Sequence, residues 1–122
     1  METQPLISII TVVYNGAKTL EQTIQSVLYQ TYKNIEYVII DGGSSDGTLD
    51  IIKKYESHIS YWISEPDKGL YDAMNKGISI AKGELIGIIN SDDWYSEGTI
   101  QKVVTSFIEN NEKLIFHGDT FY

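Results

Sequence analysis

The chain contains no cysteine, which excludes a disulfide framework, an iron–sulfur cluster and a thiolate zinc site. Basic residues are scarce: 9 Lys and Arg stand against 17 Asp and Glu, a formal net charge of -8. Neutralising nucleic-acid phosphates needs clustered cations, so this balance argues against a nucleic-acid partner and against a polybasic membrane anchor. A polyanionic ligand remains accessible through a metal ion or backbone N–H groups. No apolar run approaches the ~20 residues of a membrane span. The opening Met1-Glu2-Thr3-Gln4-Pro5 lacks the positive and apolar stretches of a signal peptide. What is present is an ordinary globular composition, 42% hydrophobic over 122 residues, enough for one domain with a modest core.

Short apolar, β-branched runs alternate with amphipathic stretches. Leu6 to Val13, Ile35 to Ile40 (closing on Asp41), Ser60 to Ser64, Leu85 to Ile89 and Leu114 to Phe116 read as strands. Between them, Leu20, Ile24, Val27 and Leu28 recur at helical spacing. Leu49, Ile51 and Ile52 follow Thr48, a candidate N-cap. Leu70, Met74, Ile78 and Ala81 share a helical face with Gly83 as the stop, and Ile100, Val103, Val104, Phe107 and Ile108 mark a last helix. Such alternation predicts an α/β fold, a mainly parallel sheet with helices on both faces. The loops that follow the strands then gather at one edge, where open α/β sheets bind ligands.

The polar residues fall at that edge. Tyr14-Asn15-Gly16 follows the first strand, Asp41 and Gly42-Gly43-Ser44-Ser45-Asp46-Gly47 the second, Pro66-Asp67-Lys68-Gly69 the third and Asn90-Ser91-Asp92-Asp93 the fourth. Adjacent aspartates repel, and a hard divalent cation relieves this by bridging one or two carboxylates to a diphosphate. Asp92 and Asp93 suit that role; capping or plain solvation would explain them equally simply. Asp41 either accepts hydrogen bonds from a base or ribose or only starts an Asx turn. The Gly/Ser run either cradles a phosphate or is a turn; it lacks the P-loop ending and the dinucleotide spacing. Lys68 either meets a phosphate or a sugar carboxylate or is solvated. His58 and His117 lack metal-ligand spacing; His58 reads as surface, and His117 falls at the functional edge with no assigned role. The nine tyrosines read as packing rather than as a sugar-stacking platform.

Several blocks together resemble family 2 glycosyltransferases. They are Ser8-Ile9-Ile10-Thr11-Val12-Val13-Tyr14-Asn15-Gly16, Ser26 through Gln30 to Tyr32, Glu36 to Thr48, Glu65 to Gly69 with Ala73-Met74-Asn75-Lys76-Gly77-Ile78, and Ala81 to Asp93. The resemblance covers nearly the whole chain. It implies a Rossmann-like GT-A fold that takes a nucleotide-diphosphate sugar, commonly a UDP-sugar, and passes the sugar to an acceptor hydroxyl with inversion, as an enzyme of hexosyltransferase type. It implies that Thr11, Val13, Tyr14, Asn15 and Asp41 hold the uracil and ribose, with Lys68 at the nucleotide. Asp92 and Asp93 would share ribose and metal contacts, with Mg²⁺ or Mn²⁺ on the diphosphate as a Lewis acid. The acceptor would be a saccharide or a lipid-linked sugar in polysaccharide or lipopolysaccharide assembly, at a cytoplasmic location that includes the inner face of a membrane.

Two departures accompany the resemblance. Asn90 stands where the family's D-x-D motif begins. The family's catalytic base and acceptor-binding elements are expected beyond Tyr122, so residues 1–122 are expected to form the nucleotide-sugar-binding portion of a truncated domain. An unfinished sheet edge is then expected to favour self-association. The alternatives are a fragment that binds UDP and metal without turnover, a sugar nucleotidyltransferase and a receiver-like domain. A nucleotidyltransferase would carry a glycine-rich, basic loop after the first strand, and here only Lys18 is near.

Overall fold

The computed structural model describes residues 4–110, 115–117 and 120–121. Six strands form one sheet: β1 (Ile7–Val13), β2 (Ile35–Asp41), β3 (Tyr61–Ser64), β4 (Leu85–Asn90), β5 (Ile115–His117) and β6 (Thr120–Phe121), in the order β3-β2-β1-β4-β5-β6. All pairs are parallel except β5 with β6. Helices α1 (Leu20–Leu28), α2 (Thr48–Lys54), α3 (Leu70–Ile80) and α4 (Thr99–Asn110) complete the architecture. The antiparallel β6 was not anticipated. Leu114, the expected start of the last strand, lies outside the described residues, as does Tyr122.

Alternation along the buried strands assigns the two faces. Ile7, Ile9 and Val13 of β1, Tyr37 and Ile39 of β2, and Leu85 and Ile89 of β4 pack with α1, α2 and α4. Ile10 and Val12, Val38 and Ile40, and Ile88 point to the other face and pack with α3. Strand order therefore reverses at β1, which has β2 on one side and β4 on the other. A crevice outside the strand ends is expected at such a reversal.

Two sequence readings shift by one to three residues. Gly47, with φ +104°, takes the cap position of α2. Thr48 is instead the first helical residue, and its hydroxyl donates to Asp46 Oδ1 at 2.5 Å. On α3 the buried positions are Ala73 and Gly77, while Leu70 is 47% exposed. The helix stops at Ile80 with Ala81 already extended. Gly83 lies beyond it and donates its N–H to Ser8 Oγ at 2.8 Å.

Gly77 sets how closely α3 approaches the sheet. A Cβ there would stand 2.5 Å from Ile10 Cγ2, and Ile10 is fully buried. Alanine would gain about 1 kcal/mol of helix propensity, but overpacking costs about 1–3 kcal/mol. Gly77→Ala is expected to destabilise the fold by about 1 kcal/mol on balance. A lowered urea midpoint with unchanged slope would show this; an unchanged or raised midpoint would mean that α3 moves away freely.

Candidate functional site

The loops after β1, β2, β3 and β4 converge on one cavity of about 810 Å³, a volume typical of small-molecule sites. Its lining includes Val12, Val13, Tyr14, Asn15, Gly16 and Thr19 from the first segment, and Gly42 from the second. Pro66, Asp67, Gly69, Leu70 and Ala73 close one side, and Asn90, Ser91 and Asp92 the other. The cavity opens on the α3 face, because Val12, Gly42 and Asn90 share the parity of Ile10, Ile40 and Ile88.

Parity within the strands, and position at or beyond their ends, decide which expected residues reach it. Val13, Tyr14, Asn15 and Asp92 do. Thr11 does not: it is fully buried on the opposite face, its hydroxyl 2.7 Å from the Tyr37 hydroxyl. Burial pushes the Tyr37 hydroxyl well above its ordinary pKa. Asp41 shares the parity of Tyr37 and Ile39 and is also fully buried. Its Oδ2 accepts the N–H groups of Gly43 (3.1 Å) and Ser44 (2.9 Å) and the Ser64 hydroxyl (2.7 Å), and its Oδ1 accepts the Ser44 hydroxyl (2.5 Å). This is the Asx-turn alternative, realised with four hydrogen bonds to a carboxylate that has no solvent exposure. Lys68 is exposed and off the lining; its N–H donates to Asp72 Oδ2 at 2.9 Å. Asp93 is exposed beside the cavity rather than on it. His58 is exposed, and the His117 side chain lies outside what is described.

The Gly/Ser turn is a strut rather than a phosphate cradle, since its N–H groups are spent inside the protein. Those of Gly43 and Ser44 go to Asp41, that of Ser45 to Asn15 Oδ1 (2.8 Å) and that of Thr48 to Asp46 Oδ1 (3.1 Å). In return, Asn15 donates its N–H to Ser44 Oγ (2.7 Å), Gly16 to Thr48 Oγ1 (3.0 Å) and Ala17 to Asp46 Oδ2 (3.1 Å). Asn15 needs this support because it sits at φ +49°, in the left-handed region. The Thr48 hydroxyl, followed by backbone N–H groups, holds the Asp46 carboxyl below its ordinary pKa. The tie it makes is therefore present above the ordinary carboxylate range and lost as pH falls through the lowered value.

The loop carrying Asp92 is held from α1. Thr23 Oγ1 donates to the carbonyls of Ser91 (2.9 Å) and Asp93 (2.5 Å), and Ser26 Oγ accepts the Tyr95 N–H (3.1 Å). Gln30, fully buried, donates to the Ser96 carbonyl (2.9 Å) and accepts the Ile100 N–H (3.1 Å) in the first turn of α4. Sequence reading noted Ser26 and Gln30 only as part of a block. A glutamine closing an apolar helical face was the available signal for a polar clamp.

The electrostatics are one-sided. Asp67 and Asp92 line the cavity, and no lysine does among its lining residues. Asn90 Oδ1 is buried with no hydrogen-bond partner among the described residues, next in the lining to Ser91 and Asp92. Among the described residues no three His, Cys, Asp or Glu side chains gather as a preformed metal cage. An oxygen-only set of one carboxylate and an orphaned amide oxygen suits a hard cation that takes its remaining ligands from water and from phosphate oxygens.

The model of glycosyl transferase family 2 matches residues 8–118. The chain belongs to that family. Among curated family relatives, an uncharacterized glycosyltransferase of Mycobacterium tuberculosis is 42% identical over 97 residues, covering 79% of this chain and 37% of the relative. The WfaP protein of Escherichia coli, a UDP-Glc:alpha-D-GlcNAc-diphosphoundecaprenol beta-1,3-glucosyltransferase, is 40% identical over 118 residues, covering 96% of this chain and 46% of the relative. The chain thus spans less than half the length of these relatives. Among solved structures, Staphylococcus aureus TarS in complex with UDP-GlcNAc superposes with a TM-score of 0.74 at 25% identity, over 86% of this chain and 31% of that one. The mannosyltransferase PcManGT of Pyrobaculum calidifontis, in complex with GDP-Man and Mn²⁺, gives 0.78 at 23% identity, over 86% and 33%. The fold is the GT-A type of these enzymes.

Proposed function

We propose that the cavity is the donor site of an inverting, metal-assisted glycosyltransferase of hexosyltransferase type, which moves a sugar from a UDP-sugar to an acceptor hydroxyl. The observation that carries this reading is a family 2 fold whose cavity is lined by Asp67 and Asp92 and by no lysine, a charge balance that favours taking a diphosphate together with a cation. Asp92 and the Asn90 Oδ1 would hold Mg²⁺ or Mn²⁺, with Asp93 as a neighbouring second carboxylate. Bound there, the ion would act as a Lewis acid on the departing nucleoside diphosphate. The chain's own contribution is to orient. Thr23, Ser26 and Gln30 fix the loop of Asp92, and the strut at Asn15 fixes the loop across which the ribose would lie. Tyr14, Leu70 and Ala73 give the cavity apolar surface that excludes water from the base.

The acceptor is proposed to be a saccharide or a lipid-linked sugar, on the strength of the WfaP relative, and the location the cytoplasmic side of a membrane. Among the described residues no helix is long and apolar enough to cross one. The base that activates the acceptor hydroxyl is assigned to sequence beyond residues 1–122, as these span less than half of the relatives. Self-association through a sheet edge remains part of this proposal.

Calorimetric titration with UDP, with and without Mn²⁺, tests it. Binding is expected to strengthen at least about tenfold with Mn²⁺, or 1.4 kcal/mol. A folded protein that binds UDP equally well in excess chelator would sink the metal part, and one that binds no UDP at all would sink the donor-site reading.

A further inference from the structure

The acid that reads the nucleotide base can be named from the geometry. Resting on the donor-site reading above, we infer that Asp67 accepts the N3–H of the base and so selects uracil over guanine and cytosine. Asp41 is fully buried, its carboxylate enclosed by Gly43, Ser44 and Ser64, and presents no accessible acceptor to the cavity. Asp67 lines the cavity, and its Oδ1 accepts the Gly69 N–H at 3.0 Å. Its Oδ2 has no hydrogen-bond partner among the described residues. That oxygen lies over the end of β2, where Gly42 leaves room: a Cβ on Gly42 would stand 2.8 Å from it.

Strand order sets the direction of the ligand. Asp92 follows β4, and the free oxygen of Asp67 lies over the end of β2, with β1 between them. At ~4.8 Å per strand the two acids flank a span of roughly 10 Å. A nucleoside diphosphate lying across it with its phosphates and cation at Asp92 places its base at Asp67, against Pro66, Leu70 and Ala73.

The single free oxygen then discriminates. Uracil presents one donor, N3–H, between two carbonyl acceptors. Guanine presents adjacent N1–H and N2–H groups, which pair best with two unshared carboxylate oxygens, and here Oδ1 already accepts the Gly69 N–H. Cytosine presents an acceptor at N3, which would set its lone pair against those of the carboxylate. Asp67→Asn makes the opposite match: the Gly69 N–H retains the amide oxygen, so the amide nitrogen takes the place of Oδ2 and donates.

The test titrates wild type, Asp67→Asn and Asp67→Ala with UDP, CDP, GDP and inorganic pyrophosphate in Mn²⁺, with circular dichroism confirming each fold. The wild type is expected to bind UDP at least about tenfold more tightly than CDP or GDP. Asp67→Asn is expected to prefer CDP, and Asp67→Ala to lose about tenfold for UDP while pyrophosphate binding is unchanged. A wild type that binds the nucleotides alike, or an Asp67→Asn variant that keeps the preference for UDP, overturns the inference and leaves the metal–diphosphate reading standing. Failure of wild type to bind either UDP or pyrophosphate overturns both.

Discussion

Asp41→Ala is expected to destabilise the protein by about 3–4 kcal/mol, the largest single-residue effect on stability in the site region. The carboxylate is fully buried and accepts two backbone N–H groups and two hydroxyls. Truncation removes the acceptor and leaves those donors short of partners, and each unmet donor in a part-buried loop costs about 1–3 kcal/mol. The hydroxyls can turn to solvent; the N–H groups of Gly43 and Ser44 cannot, which keeps the total below the sum. Asp41→Asn keeps the volume and one acceptor but sets an NH₂ group against donors, so about 2 kcal/mol is expected. Urea denaturation should show a lower midpoint at constant slope. The competing role for Asp41, direct contact with base or ribose, predicts the reverse pattern. Stability would then stay within about 0.5 kcal/mol while UDP affinity falls tenfold or more. One pair of measurements therefore separates a strut from a ligand contact.

That contest shows where sequence reading stopped. The strands were legible because parallel, doubly covered strands are continuous β-branched runs, and even the weak Ser60 to Ser64 run is β3. The edge that gathers the loops was legible from the βα alternation. The face is countable: Ile9 and Thr11 alternate with Ile10 and Val12, and the second set looks toward α3, while Val13 reaches the cavity from the first set because it ends the strand. Counting on from β2 sends Asp41 away and brings Gly42 in. In the loop after β3 a cationic side chain such as Lys68 is the natural candidate for an anionic ligand, whereas the turn that lets Asp67 accept the Gly69 N–H aims the acid inward and leaves the lysine in solvent. The close contact of Gly77 with Ile10 depends on how near two elements approach, and periodicity carries no such distance.

The second large effect separates Asp92 from Asp93, which adjacency in sequence leaves equivalent. Asp92→Ala is expected to lower UDP affinity in Mn²⁺ by about a hundredfold, down to the metal-free value. Asp93→Ala is expected to change it less than about fivefold. The asymmetry follows from the turn in which the Asp93 N–H donates to the Asn90 carbonyl at 3.0 Å while the Thr23 hydroxyl holds the Asp93 carbonyl. This geometry puts the Asp92 carboxylate on the cavity lining and leaves Asp93 exposed beside it. Neither substitution should move stability by more than about 0.5 kcal/mol, because both side chains are exposed and hold no part of the fold. Loss of affinity is then loss of a ligand to the cation rather than of the loop. Asn90→Ala, which removes the orphaned Oδ1, should fall between the two. If Asp93→Ala proves the more damaging, the cation sits outside the cavity and the diphosphate follows it; if neither variant weakens Mn²⁺-dependent binding, these aspartates are not its ligands.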